Sequence, residues 1–217
     1  MSLLHALVAQ SDLVLAEHSS RGDQYSNACQ TILSKIPPGD SKLTFSADQI
    51  LIHYQKKDGV TALVVAEDEA GRRMPFAFLA ELHRRFTTSF NMNEIADAPA
   101  YGMASFEKEI AKLMKQYEEN PPQDAIKVAQ QELAATKDTM VKSIDAVLNR
   151  GERLETLIDR TDDLSQQSRA FRKRATVLRR KMWYRNVKVL AAISFSALML
   201  LYFLLASVCG AGLNCSA

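Results

Sequence analysis

The chain has 217 residues, of which 47% are hydrophobic and 24% are charged, and its formal net charge is +2. This balance excludes a disordered chain, and it lacks the basic excess typical of a nucleic-acid-binding protein. The three cysteines are scattered without metal-ligand spacing, which argues against a zinc site and against a disulfide framework. The length suits one ordinary domain with additional extended elements.

Residues 1–119 alternate between strand and helix patterns. Short apolar runs predict strands at LLHALVA and LVLAEH, followed by three more at KLTFS, QILIHYQ and VTALVVAE. Asp58-Gly59, between the last two runs, is a strong hairpin signal. The strands are therefore expected to form an antiparallel five-stranded sheet.

Three helices complete this first domain. Helical spacing of apolar residues predicts one helix from Tyr25 to Ile36, ended by the sequence PPGD. A second helix is predicted from about Pro75 and a third from Ser105. The element order ββαβββαα predicts a compact α+β domain over residues 1–119.

Candidate catalytic residues are few in this domain. His5, His18, His53 and His83 are dispersed and fit no catalytic or zinc motif, and the phosphate-loop, dinucleotide and nucleophile-elbow patterns are missing from the sequence. The sequence therefore predicts no enzyme activity, no catalytic residue, no cofactor and no metal. The domain is interpreted as a binding surface.

A boundary and a long heptad pattern follow. The two prolines in EENPPQD, residues 118–124, end the preceding helix, and Asp124 is predicted to cap the next one, so residues 120–124 are interpreted as a linker. From Ile126 onward, steps of three and four residues give a seam predicted to be a coiled coil over residues 125–180. Besides Arg150, eleven seam positions are apolar and four are Ser or Thr: Ile126, Ala129, Leu133, Thr136, Met140, Ser143, Val147, Leu154, Leu157, Thr161, Leu164, Ser168, Phe171, Ala175 and Leu178.

Arg150 is the exception in this seam. A guanidinium removed from water needs hydrogen-bond acceptors, so partner helices must bring Gln, Asn, Asp or Glu to its layer. An in-register parallel homodimer is disfavoured because it would place Arg150 against its own copy. The remaining alternative is an arginine that extends to solvent at the edge of an ordinary coiled coil. Because a helix cannot bury such a seam alone, the segment requires partners.

The C-terminal part has the pattern of a membrane anchor. Residues 169–188 carry nine basic side chains and no acidic one, so the rest of the chain has a net charge of −7. The 21 uncharged residues 189–209 match a transmembrane helix, followed by a tail at 210–217. The basic residues place the N-terminal part in the cytosol, and insertion is expected after translation. The juxtamembrane linker, residues 181–188, is expected to contact anionic lipids. The predicted membrane-interface side chains lie in this linker and just before it: Arg179, Arg180, Lys181, Trp183, Tyr184, Arg185 and Lys188.

Residues 126–188 resemble the R-SNARE motif of the synaptobrevin family, on the sequence VLNRGERLETLIDRTDDL around Arg150 and on KMWYRNVK before the apolar run. Residues 1–119 resemble the longin domain. The resemblance is to longin-type vesicle-associated membrane proteins of the endosomal–vacuolar branch. It implies that Arg150 faces one glutamine from each of a Qa-, a Qb- and a Qc-SNARE, and that four parallel helices assemble from Ile126 toward Leu178 and draw vesicle and target membranes together.

The resemblance also implies a regulatory groove. Leu43 and Phe45 would contact the segment around Met140 and Ile144 and hold the SNARE motif closed. The alternative is that Leu43 and Phe45 are simply one face of a strand. For the whole chain, the alternative function is a trafficking adaptor or tether with a non-fusogenic coiled coil, and coat or sorting adaptors are further expected partners of the longin domain.

Overall fold

The structure is a computed structural model that describes residues 2–135 and 141–146, together with the single positions 148, 154 and 199. The chain divides into two units, Met1–Ala175 and Thr176–Ala217, and the elements below belong to the first. Six strands are described: β1 Leu3–Gln10, β2 Leu13–Ser19, β3 Ser41–Ala47, β4 Ile50–Lys57, β5 Val60–Glu67 and β6 Val141–Ser143. Five α-helices accompany them: α1 Ser26–Leu33, α2 Arg73–Ser89, α3 Met92–Ala96, α4 Glu107–Glu119 and α5 Gln123–Ala135.

The strands form one sheet in the order β2-β1-β5-β4-β3-β6. The first five strands pair antiparallel, as the sequence predicts. The predicted total of five is wrong, because β6 adds a sixth strand and pairs parallel to β3, which makes the sheet mixed. The added strand lies within the predicted coiled coil. It satisfies backbone groups that the edge of β3 would otherwise leave without strand partners.

Each face of the sheet carries its own apolar core. Helices α2 and α4 cover one face, where Phe78, Phe86 and Tyr117 are among the buried side chains. Helix α1 covers the other face with Cys29 and Ile32, both almost inaccessible to solvent. The alternation of residues along the strands explains this division, since successive side chains point to opposite faces.

Local signals account for two connections. Asp58 and Gly59 both have positive φ, 53° and 77°, as expected for the predicted tight hairpin between β4 and β5. Helix α3 was not predicted, and it extends the predicted element order. Its cue is the capping box formed by Asn91 and Glu94, in which each side chain accepts a backbone N–H of the other residue.

The described part of the heptad region, residues 123–135 and 141–146, does not form one continuous helix. Helix α5 starts at Gln123, so Asp124 lies in its first turn and is not its cap. Residues 141–143 form β6, and residues 144–146 form a single 3-10 turn. A heptad seam without partner helices has no reason to stay helical, and here parts of it are buried on the chain's own sheet. Among the described residues, no helix combines the length and apolarity that crossing a bilayer demands.

Candidate interaction site at the sheet edge

The segment after residue 122 contacts the N-terminal domain at three places around β3. Helix α5 packs against α2 on one face of the sheet. Strand β6 lies along the edge, and Ile144, Leu148 and Leu154 are buried in the core of the opposite face. We call these three contacts together the docked segment. They place one stretch of chain on both faces of the same edge strand.

The edge contact is a short parallel ladder. Thr44 lies opposite Val141, Phe45 opposite Lys142, and Ser46 opposite Ser143. All three β6 residues are exposed, and Val141 remains 49% exposed. The ladder therefore sets the register of the docked segment, while the β6 side chains add little apolar burial.

The apolar anchors follow β6. Ile144 is 2% exposed, and Leu148 and Leu154 are buried in the same cluster. This cluster includes Phe45 and Tyr54, whose rings stack at a centroid distance of 6.1 Å. The turn that leads into the anchors is supported locally, since the Leu148 N–H donates to the Ile144 carbonyl at 3.1 Å. Burying one large aliphatic side chain contributes about 1.5–3 kcal/mol, so these residues make the main apolar contribution to docking on this face.

Helix α5 supplies the contacts on the other face. Ala129 is 6% exposed, and Ile126 and Leu133 pack partly buried against the α2 core. Lys42 Nζ of β3 lies 3.7 Å from Glu132 Oε2 of α5. Because Glu132 is 59% exposed, this ion pair adds little energy, and the docking of α5 depends mainly on its apolar face.

A buried hydrogen bond fixes the strand that receives the docked segment. Thr44 Oγ1 and His53 Nδ1 are 2.9 Å apart, which joins β3 to β4 beneath the edge. Burial, with a smaller contribution from the charge of Arg72, lowers the pKa of His53 to about 3. His53 is therefore neutral at physiological pH, and the edge of the sheet carries a hydrogen-bonded, uncharged pair.

The structure places the predicted groove residues as follows. Phe45 is buried, Leu43 packs partly buried on the same cluster, and Ile144 lies in that cluster with them. Met140 lies outside the described residues. Leu148 and the docking of α5 on α2 were not predicted. The heptad pattern could have suggested that α5 needs an apolar partner, but it carries no signal for α2 as that partner.

Five of the predicted seam residues are described: Ile126, Ala129, Leu133, Ser143 and Leu154. The predicted ionic-layer residue Arg150 lies outside the described residues. So do the other predicted seam positions and the predicted membrane-interface residues: Thr136, Met140, Val147, Leu157, Thr161, Leu164, Ser168, Phe171, Ala175, Leu178, Arg179, Arg180, Lys181, Trp183, Tyr184, Arg185 and Lys188. The predicted span at 189–209 and tail at 210–217 are likewise outside, except that Met199 is helical.

The docked segment and a coiled coil use the same residues in incompatible ways. Ala129 and Leu154 are already buried against the N-terminal domain, so their seam faces are covered. Ser143 lies in a strand, whereas a seam position requires a helix. A partner helix can therefore reach these positions only after the segment leaves the sheet.

A domain of this fold with a heptad segment docked on its sheet edge defines a class of protein, the SNARE-type proteins that carry a longin domain. Residues 15–110 match the Longin family, described as the regulated-SNARE-like domain, and residues 125–205 match the Synaptobrevin family. Within the described ranges, no group of three or more His, Cys, Asp or Glu side chains could hold a metal ion.

Relatives extend this match over nearly the whole chain. Vesicle-associated membrane protein 713 of Arabidopsis thaliana is 36% identical over 212 residues, which cover 96% of each chain. Vesicle-associated membrane protein 7B of Dictyostelium discoideum is 34% identical over 96% of this chain and 81% of its own. Vesicle-associated membrane protein 7 of Homo sapiens is 32% identical over 97% of this chain and 96% of its own. The chain belongs to the longin-type R-SNAREs of the synaptobrevin and vesicle-associated membrane protein family.

Proposed function

We propose that this chain is a vesicle R-SNARE that assembles with one Qa-, one Qb- and one Qc-SNARE helix and drives membrane fusion in endosomal or vacuolar traffic. The observation that carries this proposal is the uninterrupted seam from Ile126 to Leu178 with Arg150 at its centre. Arg150 would take three glutamine side chains as acceptors in the ionic layer. The other seam residues would form the apolar layers on both sides of it.

The N-terminal domain regulates this assembly in the same proposal. Docking packs seam residues of α5, and Leu154, against the N-terminal domain, and it places Ser143 in a strand. Assembly then requires the segment to leave the sheet first. Leu43 and Phe45 form the receiving groove for the segment around Met140 and Ile144.

The proposal assigns the last part of the chain to the membrane. The apolar stretch 189–209 would be a tail anchor in the vesicle, endosome or vacuole membrane, with residues 1–188 in the cytosol. The basic linker would contact anionic lipids. Coat or sorting adaptors would bind the longin domain as additional partners. The work performed is mechanical and requires no catalytic residue.

One experiment tests the fusion and the regulatory parts separately. The full chain and a variant lacking residues 1–119 are mixed with a Qa, Qb and Qc set, and circular dichroism records the gain of helix. All three partners together should produce a cooperative gain, and the deletion should make it faster. Equal rates for the two chains would refute regulation by the N-terminal domain and leave the fusion proposal standing.

The ionic layer has its own test. Arg150→Leu should allow altered register or partner choice in the same mixture, because the polar layer that specifies both is lost. Leu157→Arg, placed at another layer, serves as a control that introduces a cation without an acceptor and should reduce assembly. No helix gain with any endosomal or vacuolar set would refute the fusion proposal and favour the adaptor alternative.

A further inference from the structure

A basic cleft lies beside the docked segment. Its volume is about 600 Å³, and it sits at the start of β3, where Ser41–Leu43 lie before the ladder with β6 begins. Its described lining contains five lysines and two carboxylates. Lysines thus outnumber carboxylates in this lining, whereas the chain outside residues 169–188 carries a net charge of −7.

The two carboxylates have partners of their own. Asp40 Oδ1 accepts the backbone N–H of Asp58 at 3.0 Å. Glu132 Oε2 lies 3.7 Å from Lys42 Nζ. The exposed lysines Lys57 and Lys142 make no ion pair in the part of the chain that the structure describes. Their positive charges are therefore available to a bound anion.

Lys56 gives the cleft a buried cation. The residue is 7% exposed, and its Nζ donates to the Pro37 carbonyl at 3.0 Å. An ammonium has three N–H donors, and this carbonyl is its one acceptor among the described residues. Because Lys56 also lines the cleft, an anion bound there could accept one of its remaining N–H donors. The aromatic residues Phe45 and Tyr54 also line the cleft.

The cleft is built from both halves of the chain. Lys56 and Lys57 come from β4, Glu132 comes from α5, and Lys142 comes from β6. We propose that this cleft binds a phosphate-bearing polyanion of the size of an inositol phosphate headgroup, and that the bound anion holds the docked segment on the sheet. Such a headgroup comes either from a phosphoinositide lipid or from a soluble inositol phosphate.

Binding and docking are coupled because the complete cleft exists only when the segment is docked. A ligand that binds the docked form stabilises it by the factor 1 + [L]/Kd. At ten times Kd, the equilibrium for release of the segment falls about elevenfold. The anion would then slow assembly with partner helices by a similar factor. Only this last effect depends on the proposed SNARE function, since anion binding itself does not.

The test uses the full chain reconstituted in phosphatidylcholine nanodiscs. Inositol trisphosphate and inorganic phosphate are titrated by calorimetry, and hydrogen exchange is followed at the β6 amides. The variant Lys57→Glu/Lys142→Glu removes two exposed cleft lysines. Its control is Lys108→Glu/Lys112→Glu on exposed sites of α4, which has the same net charge and keeps the basic linker intact. We expect about tenfold weaker binding for the cleft variant than for the control.

Bound trisphosphate should also slow exchange at Val141–Ser143 in the control but not in the cleft variant. Equal affinities of the two variants, or no preference for trisphosphate over phosphate, would overturn the proposal. Vesicles with phosphatidylinositol bisphosphate distinguish the sources. Tighter binding to these vesicles than to soluble trisphosphate supports the lipid headgroup, and equal binding supports the soluble anion. Assembly rates without any anion test the SNARE function independently.

Discussion

Ile144→Ala offers the sharpest perturbation of the docked segment. Ile144 is 2% exposed in the cluster with Phe45 and Tyr54. It is adjacent to Ser143 but is not itself one of the predicted seam positions. The substitution should therefore weaken docking while leaving the predicted layers of the four-helix bundle unchanged.

The expected magnitude follows from the buried carbons. The change removes three carbon atoms at about 0.8 kcal/mol each, and incomplete collapse of the site adds a cavity contribution. A loss of about 2.5 kcal/mol raises the equilibrium constant for release of the segment about sixtyfold. Most of this loss applies to local release, since Ile144 contacts the domain from the docked segment.

Two measurements on the full chain in nanodiscs follow the effect. Hydrogen exchange should become faster at the amides of β6 and of the turn at 144–146. The rate of assembly with a Qa, Qb and Qc set should rise, up to about sixtyfold while the docked form predominates. The increase in the exchange rate and the increase in the assembly rate should be similar, because both require release of the docked segment.

Val128→Ala is the matched control. Val128 lies on α5 outside the seam and is 55% exposed, so its truncation should leave both measurements unchanged. Unchanged exchange at β6 in Ile144→Ala would refute the docking argument. Faster exchange with an unchanged assembly rate would show that docking exists but does not limit assembly.

Three further predictions concern stability. The pKa of His53 is lowered to about 3, so the stability that neutral His53 contributes is complete above the ordinary pKa of 6.5 and is lost as pH falls toward 3. Over this range the free energy of unfolding should fall by up to about 1.4 kcal/mol per pH unit because of this group. His53→Phe should reduce that slope in urea unfolding. Hydrogen bonds from Arg84 and Arg85 lower the pKa of Glu81 to about 2, so the stability difference between wild type and Glu81→Gln, below about 1 kcal/mol, should vanish as pH falls from 4.5 to 2. Glu17 is 3% exposed and accepts hydrogen bonds from Ser26 Oγ at 3.1 Å and from Tyr101 Oη at 3.2 Å. Glu17→Leu should lower the free energy of unfolding by about 2–4 kcal/mol in thermal unfolding, because it leaves these buried hydroxyls without their acceptor. Glu17→Gln should lower it by less.

The strands of the N-terminal domain could be predicted because each carries its own local pattern. VTALVVAE and QILIHYQ are apolar runs bounded by turn residues, and Asp58-Gly59 specifies their hairpin. Helix α3 is only five residues long, so apolar periodicity is too weak to reveal it, and its capping box is the stronger signal. These elements are determined largely by residues close in sequence.

Strand β6 could not be predicted in the same way. Val141–Ser143 lies inside a heptad pattern whose local preference is for a helix. Its conformation comes from the unpaired edge of β3, a partner about a hundred residues away in sequence. The docking of α5 on α2 has the same origin. The heptad pattern indicates partner helices for a coiled coil. Docking of the same residues depends on the edge of β3 and on the surface of α2, which exist only once the domain has folded.

The two uses differ in how much of the seam they can cover. In the docked state, Ala129 and Leu154 are buried, Ile126 and Leu133 are only partly buried, and Ser143 is exposed. A four-helix bundle would enclose every layer from Ile126 to Leu178 and supply acceptors to Arg150. Complete assembly is therefore expected to be more favourable than docking, so in the proposed mechanism docking would slow assembly without preventing its completion. Anchors such as Ile144 and Leu148 would then delay the first layers until three partner helices are present together.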